Sequence, residues 1–168
     1  MNNSKSGSID STIADIKTLK PIHHASYNLQ RDMVLDFGKI VTGFYNDKMK
    51  KQNFIITDTT DMEYFDSNIY PFLIGWLPFK NGYKQDISIY DNPLAKMGVI
   101  KASVNEVKSG VYESKKPGSR KVWVVTASDE FGNGENGIRT YYFDKVNRKI
   151  WKQEINAGGH QLLMKLIE

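Results

Sequence analysis

Three histidines, His23, His24 and His160, are the residues of this chain with the widest chemical range. His23 and His24 are adjacent, so they cannot present the i, i+4 geometry of a helical zinc pair. No His/Asp/Glu spacing in the chain matches a metal site, and they read as loop histidines without metal. A Ser-His-Asp triad needs no sequence adjacency, but no nucleophile elbow marks one. The chain has no cysteine, which removes disulfides, thiolate zinc sites, iron–sulfur clusters and cysteine nucleophiles together. Gly132-Asn-Gly134-Glu-Asn-Gly137 spells G-x-G-x-x-G, but the fingerprint needs a helix after it to hold a pyrophosphate. Here Ile138–Phe143 follows with a strand pattern, so the motif reads as a hairpin loop. The same loop fails as a calcium site, with Phe131 and Thr140 standing where oxygen ligands belong. No catalytic residue, metal or cofactor is assigned.

Two surface constellations remain. If a turn over Lys145–Arg148 sets Asp144 opposite Lys149, then Tyr142 faces Trp151, Thr140 faces Gln153 and Ile138 faces Ile155. Thr140, Tyr142, Trp151 and Gln153 would then line one aromatic and hydrogen-bonding face, suited to a ligand or partner. Trp76, in the irregular apolar stretch Tyr70–Phe79, is the other candidate contact. The same hairpins gather Lys115, Lys116, Arg120, Lys121, Lys145, Arg148 and Lys149 into a basic rim at one end of the sheet. Asp129, Glu130 and Glu135 collect at the other end. Such a rim fits an acidic protein or a polyanion. For an isomerase- or dehydratase-type enzyme, the general base would be a pocket carboxylate, with Asp61, Asp66 and Asp86 as candidates.

The elements that must hold these residues are clearest in the last third. Arg120–Ser128, Ile138–Asp144, Lys149–Ile155 and His160–Ile167 are β-rich runs joined by turn residues, an antiparallel meander. Val99–Tyr112 alternates and turns into it at Pro117-Gly118. Asp86–Tyr90 and Asn53–Thr57 read as strands, and Asn92–Gly98 as one helical turn. Upstream, Leu29, Met33, Val34, Phe37, Ile40, Val41, Phe44 and Tyr45 recur at intervals of three and four, which predicts a long amphipathic helix. Phe37, Val41 and Phe44 centre its stripe and should be buried against the meander. Thr60–Glu63 has capping-box spacing for a short helix. Residues 1–25 form an arm with a short helix over Ser11–Leu19, and 26–168 form one α+β domain.

This order, a long N-terminal helix ending at Phe44-Tyr45 before a curved antiparallel meander, resembles the NTF2-like, cystatin-like cone family over residues 26–168. The resemblance implies a sheet wrapped around the first helix with a cavity between them. Catalytic members use a buried carboxylate and tyrosines, and no position here carries that role over.

At 168 residues the chain can bury roughly 70% of its unfolded surface and fold without staples. A net charge of +4 is not the footprint of a nucleic-acid binder, which ranks that role last. The longest apolar run is ten residues, half the ~20 of a spanning helix. The polar opening Met1–Ser8 carries no signal-peptide core and reads as a tether or trimmed mature end. The opening fits a cytosolic protein with a loose N-terminus equally well, so the compartment stays open, with an exported, periplasmic protein whose signal is removed placed ahead of a cytoplasmic one. The reading is a non-enzymatic domain recognising a protein partner, as an immunity-type inhibitor or exported accessory protein does. A small-molecule ligand and a homodimer through the sheet are the secondary expectations.

Overall fold

The computed structural model describes residues 7–113, 118–131 and 137–166. The chain divides into two compact units between Ile69 and Tyr70. Unit 1 holds strands β1 (Ile9–Ala14), β2 (Pro21–Tyr27), β3 (Arg31–Asp36), β4 (Ile40–Asp47), β5 (Gln52–Thr59) and the short β6 (Phe65–Asp66). The first five form an antiparallel meander in sequence order. Residue 25 lies within β2.

The expected α+β cone is overturned, because the N-terminal helix on which it rests is a hairpin. Leu29–Tyr45 spans β3, a turn at Phe37–Lys39 and β4. The period is two, not 3.6. Met33 and Leu35 are buried from β3 and Val41 from β4, while Val34 pairs with Phe44 on the opposite face. Apolar residues on both faces of two strands, joined by a short turn, imitate helical spacing. Gly43 marks the strand register. A Cβ there would lie 1.9 Å from the Val34 carbonyl oxygen, so β3 and β4 pair only because no side chain intervenes. Gly38 sits in the turn between the two strands. Of the three side chains expected at the centre of the core, Val41 is buried, Phe37 is half-buried and Phe44 is 38% exposed.

The short N-terminal helix is likewise a strand. β1 ends at Ala14, and Asp15 Oδ1 accepts bonds from the Lys17 and Thr18 backbone N–H groups and the Thr18 hydroxyl. These local acceptors compete with helix formation. Asp47 repeats the device after β4, taking Met49 N–H and Lys50 N–H. Thr60–Glu63 forms loop rather than helix.

Unit 2 opens with α1 (Tyr70–Trp76), seven residues long. Then follow β7 (Gln85–Asp91), β8 (Gly98–Glu113), β9 (Ser119–Asp129), β10 (Gly137–Asp144), β11 (Ile150–Ala157) and β12 (His160–Lys165). They lie antiparallel in sequence order, the meander anticipated from the turn chemistry. One face is core. Ile87, Ile89, Ala102, Val104, Val107, Val125, Ala127, Tyr141 and Phe143 are buried on it. α1 packs there through Gly75, whose added Cβ would come within 2.9 Å of the Phe143 ring. Tyr70–Phe79 is thus more regular than expected. Pro71 stands in the first turn of the helix and Pro78 beyond its end, and the helix buries Tyr70, Leu73 and Ile74.

Candidate functional site

The expected pairing of β10 with β11 is half right. The turn closes as anticipated, with Asp144 N–H donating to Lys149 O at 2.8 Å and Asp144 Oδ1 accepting from Val146 and Asn147 N–H. A bulge then intervenes: Phe143 pairs with Ile150 but Tyr142 with Lys152, leaving Trp151 as the extra residue. A bulge shifts every later pair by one and so reverses their faces. Tyr141 therefore faces Gln153, which is buried, and Thr140 faces Glu154. Gln153 leaves the anticipated face, while Thr140, Tyr142 and Trp151 stay on the one that α1 does not cover.

On that face Trp151 is the centre. Its ring stacks on Tyr112, centroids 6.1 Å apart and planes 16° from parallel, and Tyr112 lies 6.3 Å from Tyr142. The Trp151 Nε1–H donates to Asp144 Oδ2 at 3.0 Å. Two cations lie over the indole: the Arg120 guanidinium at 5.4 Å and the Lys149 ammonium at 4.9 Å. Lys152 sits 4.7 Å over Tyr142 and pairs with Glu154 Oε1 at 2.6 Å. The Glu154 bond, stronger than the opposing effect of burial, holds the Lys152 ammonium above its ordinary range. Burial opposes charge on Asp144. The bonds from Val146, Trp151 and Asn147 and the nearby Arg120 charge outweigh it, so the carboxyl is held below its ordinary range.

The basic rim divides between the two faces. Arg120 and Lys149 belong to the Trp151 cluster. Lys145 lies 4.1 Å over Trp123 and bonds Ser109 Oγ at 2.5 Å, and Arg148 lies 4.5 Å over Phe79, all around the α1-bearing face. Burial pushes the Arg148 guanidinium down from its ordinary value, and its Nη1 is buried without a partner. Lys121 is exposed; Lys115 and Lys116 fall outside the described residues. The opposite, acidic end is not free. Asp129 is buried and gripped by Arg139 through Nε at 2.5 Å and Nη2 at 3.0 Å, and Glu130 pairs with Lys96 at 3.2 Å. Glu135 also falls outside the described residues. Trp76 is 62% exposed on α1 beside Phe72, away from the Trp151 face.

Sequence reasoning missed two features. Tyr112, at the end of a long alternating run, gave no signal that it would back Trp151, because the β8–β9 register decides that contact. The second is in unit 1. His24 Nδ1 lies 2.9 Å from Asp66 Oδ2, the Thr12 hydroxyl donates to the same oxygen at 2.9 Å, and Asn68 N–H donates to Asp66 Oδ1 at 3.0 Å. His24 Nε2, on the other side of the ring, is buried without a hydrogen-bond partner. His24 and Asp66 are 42 positions apart, beyond any spacing rule. Asp61 and Asp86, the other acids considered, are exposed. Asp86 bonds Lys101 at 2.7 Å and Ser103 at 2.7 Å, and these bonds hold its carboxyl below the ordinary range. Among the described residues no group of three or more His, Asp or Glu is placed to hold a metal ion.

Over residues 2–165 the chain matches the model of the family described as "Protein of unknown function (DUF3108)", and it belongs to that family. No curated protein and no solved structure matches the chain. No helix among the described residues is long and apolar enough to cross a membrane.

Proposed function

We propose that this protein is a non-enzymatic binding domain that recognises an acidic partner protein through the Trp151 face of unit 2. One observation carries the reading: Arg120 and Lys149 both lie over the Trp151 indole, and neither makes a salt bridge among the described residues. Arg, Trp and Tyr are the side chains that dominate binding energy at protein interfaces. Exposed cations held over a buried aromatic cluster complement a partner's carboxylates and steer its approach. A domain of this kind suits an immunity-type inhibitor or an exported accessory protein.

The enzyme alternative calls for a buried carboxyl beside Tyr142 and Trp151 whose pKa is raised from the ordinary carboxylate range, fitting it for work as a general base. Asp144, the carboxyl bonded to Trp151, has its pKa moved the opposite way. The homodimer has one observation in its favour. β12 is an edge strand, exposed along its whole length, with Leu162 and Leu163 each 53% exposed, and such edges are templates for pairing.

The test is titration of a glutamate-rich polypeptide into the wild type and into Arg120→Glu/Lys149→Glu. Both replaced residues are exposed, so the fold should be retained. Wild-type affinity should fall with added salt, and the variant should bind at least about tenfold more weakly. Equal binding by the variant, or a preference for duplex DNA at low salt, would sink the proposal.

A further inference from the structure

Unit 1 carries a second candidate binding site, separate in chemistry from the Trp151 face. Lys20, Pro21, Lys39, Asp61, Met62 and Tyr64 are among the residues lining an open cleft of ≈ 570 Å³, within the usual range for small-molecule sites. Three segments meet there: the end of the β1–β2 turn, the β3–β4 turn and the loop after β5. They are tied to one another before any ligand arrives. Tyr64 Oη–H donates to Gly38 O at 2.8 Å, Thr60 N–H donates to Lys39 O at 3.0 Å, and Lys20 pairs with Glu63. The Tyr64 ring is buried with its centroid 6.0 Å from that of Phe37. Burial pushes the Tyr64 phenol up from its ordinary value, so its hydroxyl keeps its proton and remains a donor. The first turn is also fixed in shape. Leu19 adopts φ 59°, a left-handed conformation uncommon outside glycine, and its N–H is held by Asp15 O at 2.8 Å.

The cleft is lined by both charged and apolar side chains. With Lys20 and Glu63 spent on each other, Lys39 remains as a cation and Asp61 as an anion, each exposed and neither in a salt bridge among the described residues. Pro21, Met62 and Tyr64 supply apolar surface in the same cleft. A ligand matching this arrangement carries a carboxylate, an ammonium group and an apolar body at once. From this we infer that the cleft binds an amino-acid-type zwitterion, a free amino acid or very short peptide, with its carboxylate toward Lys39 and its ammonium toward Asp61. A simple anion would meet the Asp61 charge, and a simple cation the Lys39 charge, so each would be disfavoured against the molecule that carries both.

The probe is the dipeptide leucyl-leucine, titrated into the full chain by calorimetry alongside its N-acetyl form and its C-terminal amide. The same titrations are run on Lys39→Glu, Asp61→Lys and the exchanged double variant. Both positions are exposed, and a melting curve confirms that each variant folds. The expected result is saturable one-site binding of the free dipeptide, with each blocked form at least about tenfold weaker. Each single reversal should abolish that binding, and the exchanged pair should recover part of it. The inference is overturned by absence of saturable binding up to ~10 mM, a range that covers even weak single-site ligands. Equal affinity for the blocked forms, or indifference to both reversals, overturns it as well. Because the Trp151 face is left intact in every variant, the outcome is independent of the partner proposal.

Discussion

The Trp151 ring lies 16° from parallel with that of Tyr112, 6.1 Å away across the sheet, and carries Arg120 at 5.4 Å and Lys149 at 4.9 Å from its centroid. One bulged residue thus joins three strands and two cations. Replacing it should therefore be costly to the fold as well as to recognition. Trp151 is 6% exposed, so Trp151→Ala should lose about 3–5 kcal/mol of stability. Trp151→Phe keeps the stack but loses the bond to Asp144 and should cost about 1–2 kcal/mol. Urea unfolding measures both; a Trp151→Phe variant as stable as the wild type would mean that the indole N–H bond contributes nothing.

Part of this site was legible from the sequence. The Asp144–Lys149 turn was, because aspartate and asparagine at those positions satisfy the turn N–H groups. The placing of Tyr142 and Trp151 on one face was right, but the register reasoning assumed a regular ladder. A bulge has no compositional marker in Lys149-Ile-Trp-Lys, so Gln153 was put on the wrong face. The N-terminal helix failed for a related reason. Spacings of three and four among Leu29–Tyr45 cannot distinguish one helix face from two strands with apolar residues on both sides. Gly43 held the better clue, since a glycine between Val41 and Phe44 suits a strand at close approach and weakens a helix.

Gly43→Ala tests that register. A Cβ at 1.9 Å from Val34 O cannot be absorbed by a flexible side chain, so β3 and β4 must separate or shift. The expected loss is more than about 3 kcal/mol, at the severe end for single substitutions. Gly38→Ala, where the nearest atom would be 3.5 Å away, should cost far less in the same thermal melt.

The His24–Asp66 pair should behave as a structural tie in unit 1. The two side chains are 1% and 0% exposed. Removing one partner leaves a buried polar group uncompensated. His24→Ala should therefore cost about 3–5 kcal/mol, and Asp66→Asn should also destabilise, because the amide cannot accept from every donor now in place. Differential scanning calorimetry of both variants checks this. A melting temperature unchanged in either would remove the tie.

Acid should weaken the fold partly through Asp144. Its carboxyl titrates lower in the folded protein than the unfolded value of about 3.9, so between those two points the unfolded chain binds more protons. The stabilisation is complete above the unfolded value and is lost as pH falls through the folded one. Asp144→Asn should flatten that acid limb and leave the dependence near neutral pH unchanged, as read from urea midpoints at a series of pH values. An identical acid limb in the variant would exclude Asp144 as a contributor.

Recognition through the Trp151 face is the central claim, and the three indole N–H resonances of Trp76, Trp123 and Trp151 report on it directly. During titration with a glutamate-rich polypeptide, the Trp151 resonance should shift progressively and saturably. Those of Trp76, exposed on α1, and Trp123, beneath Lys145, should stay in place. Shifts confined to Trp76 or Trp123, or no shift at saturating polypeptide, would contradict the account.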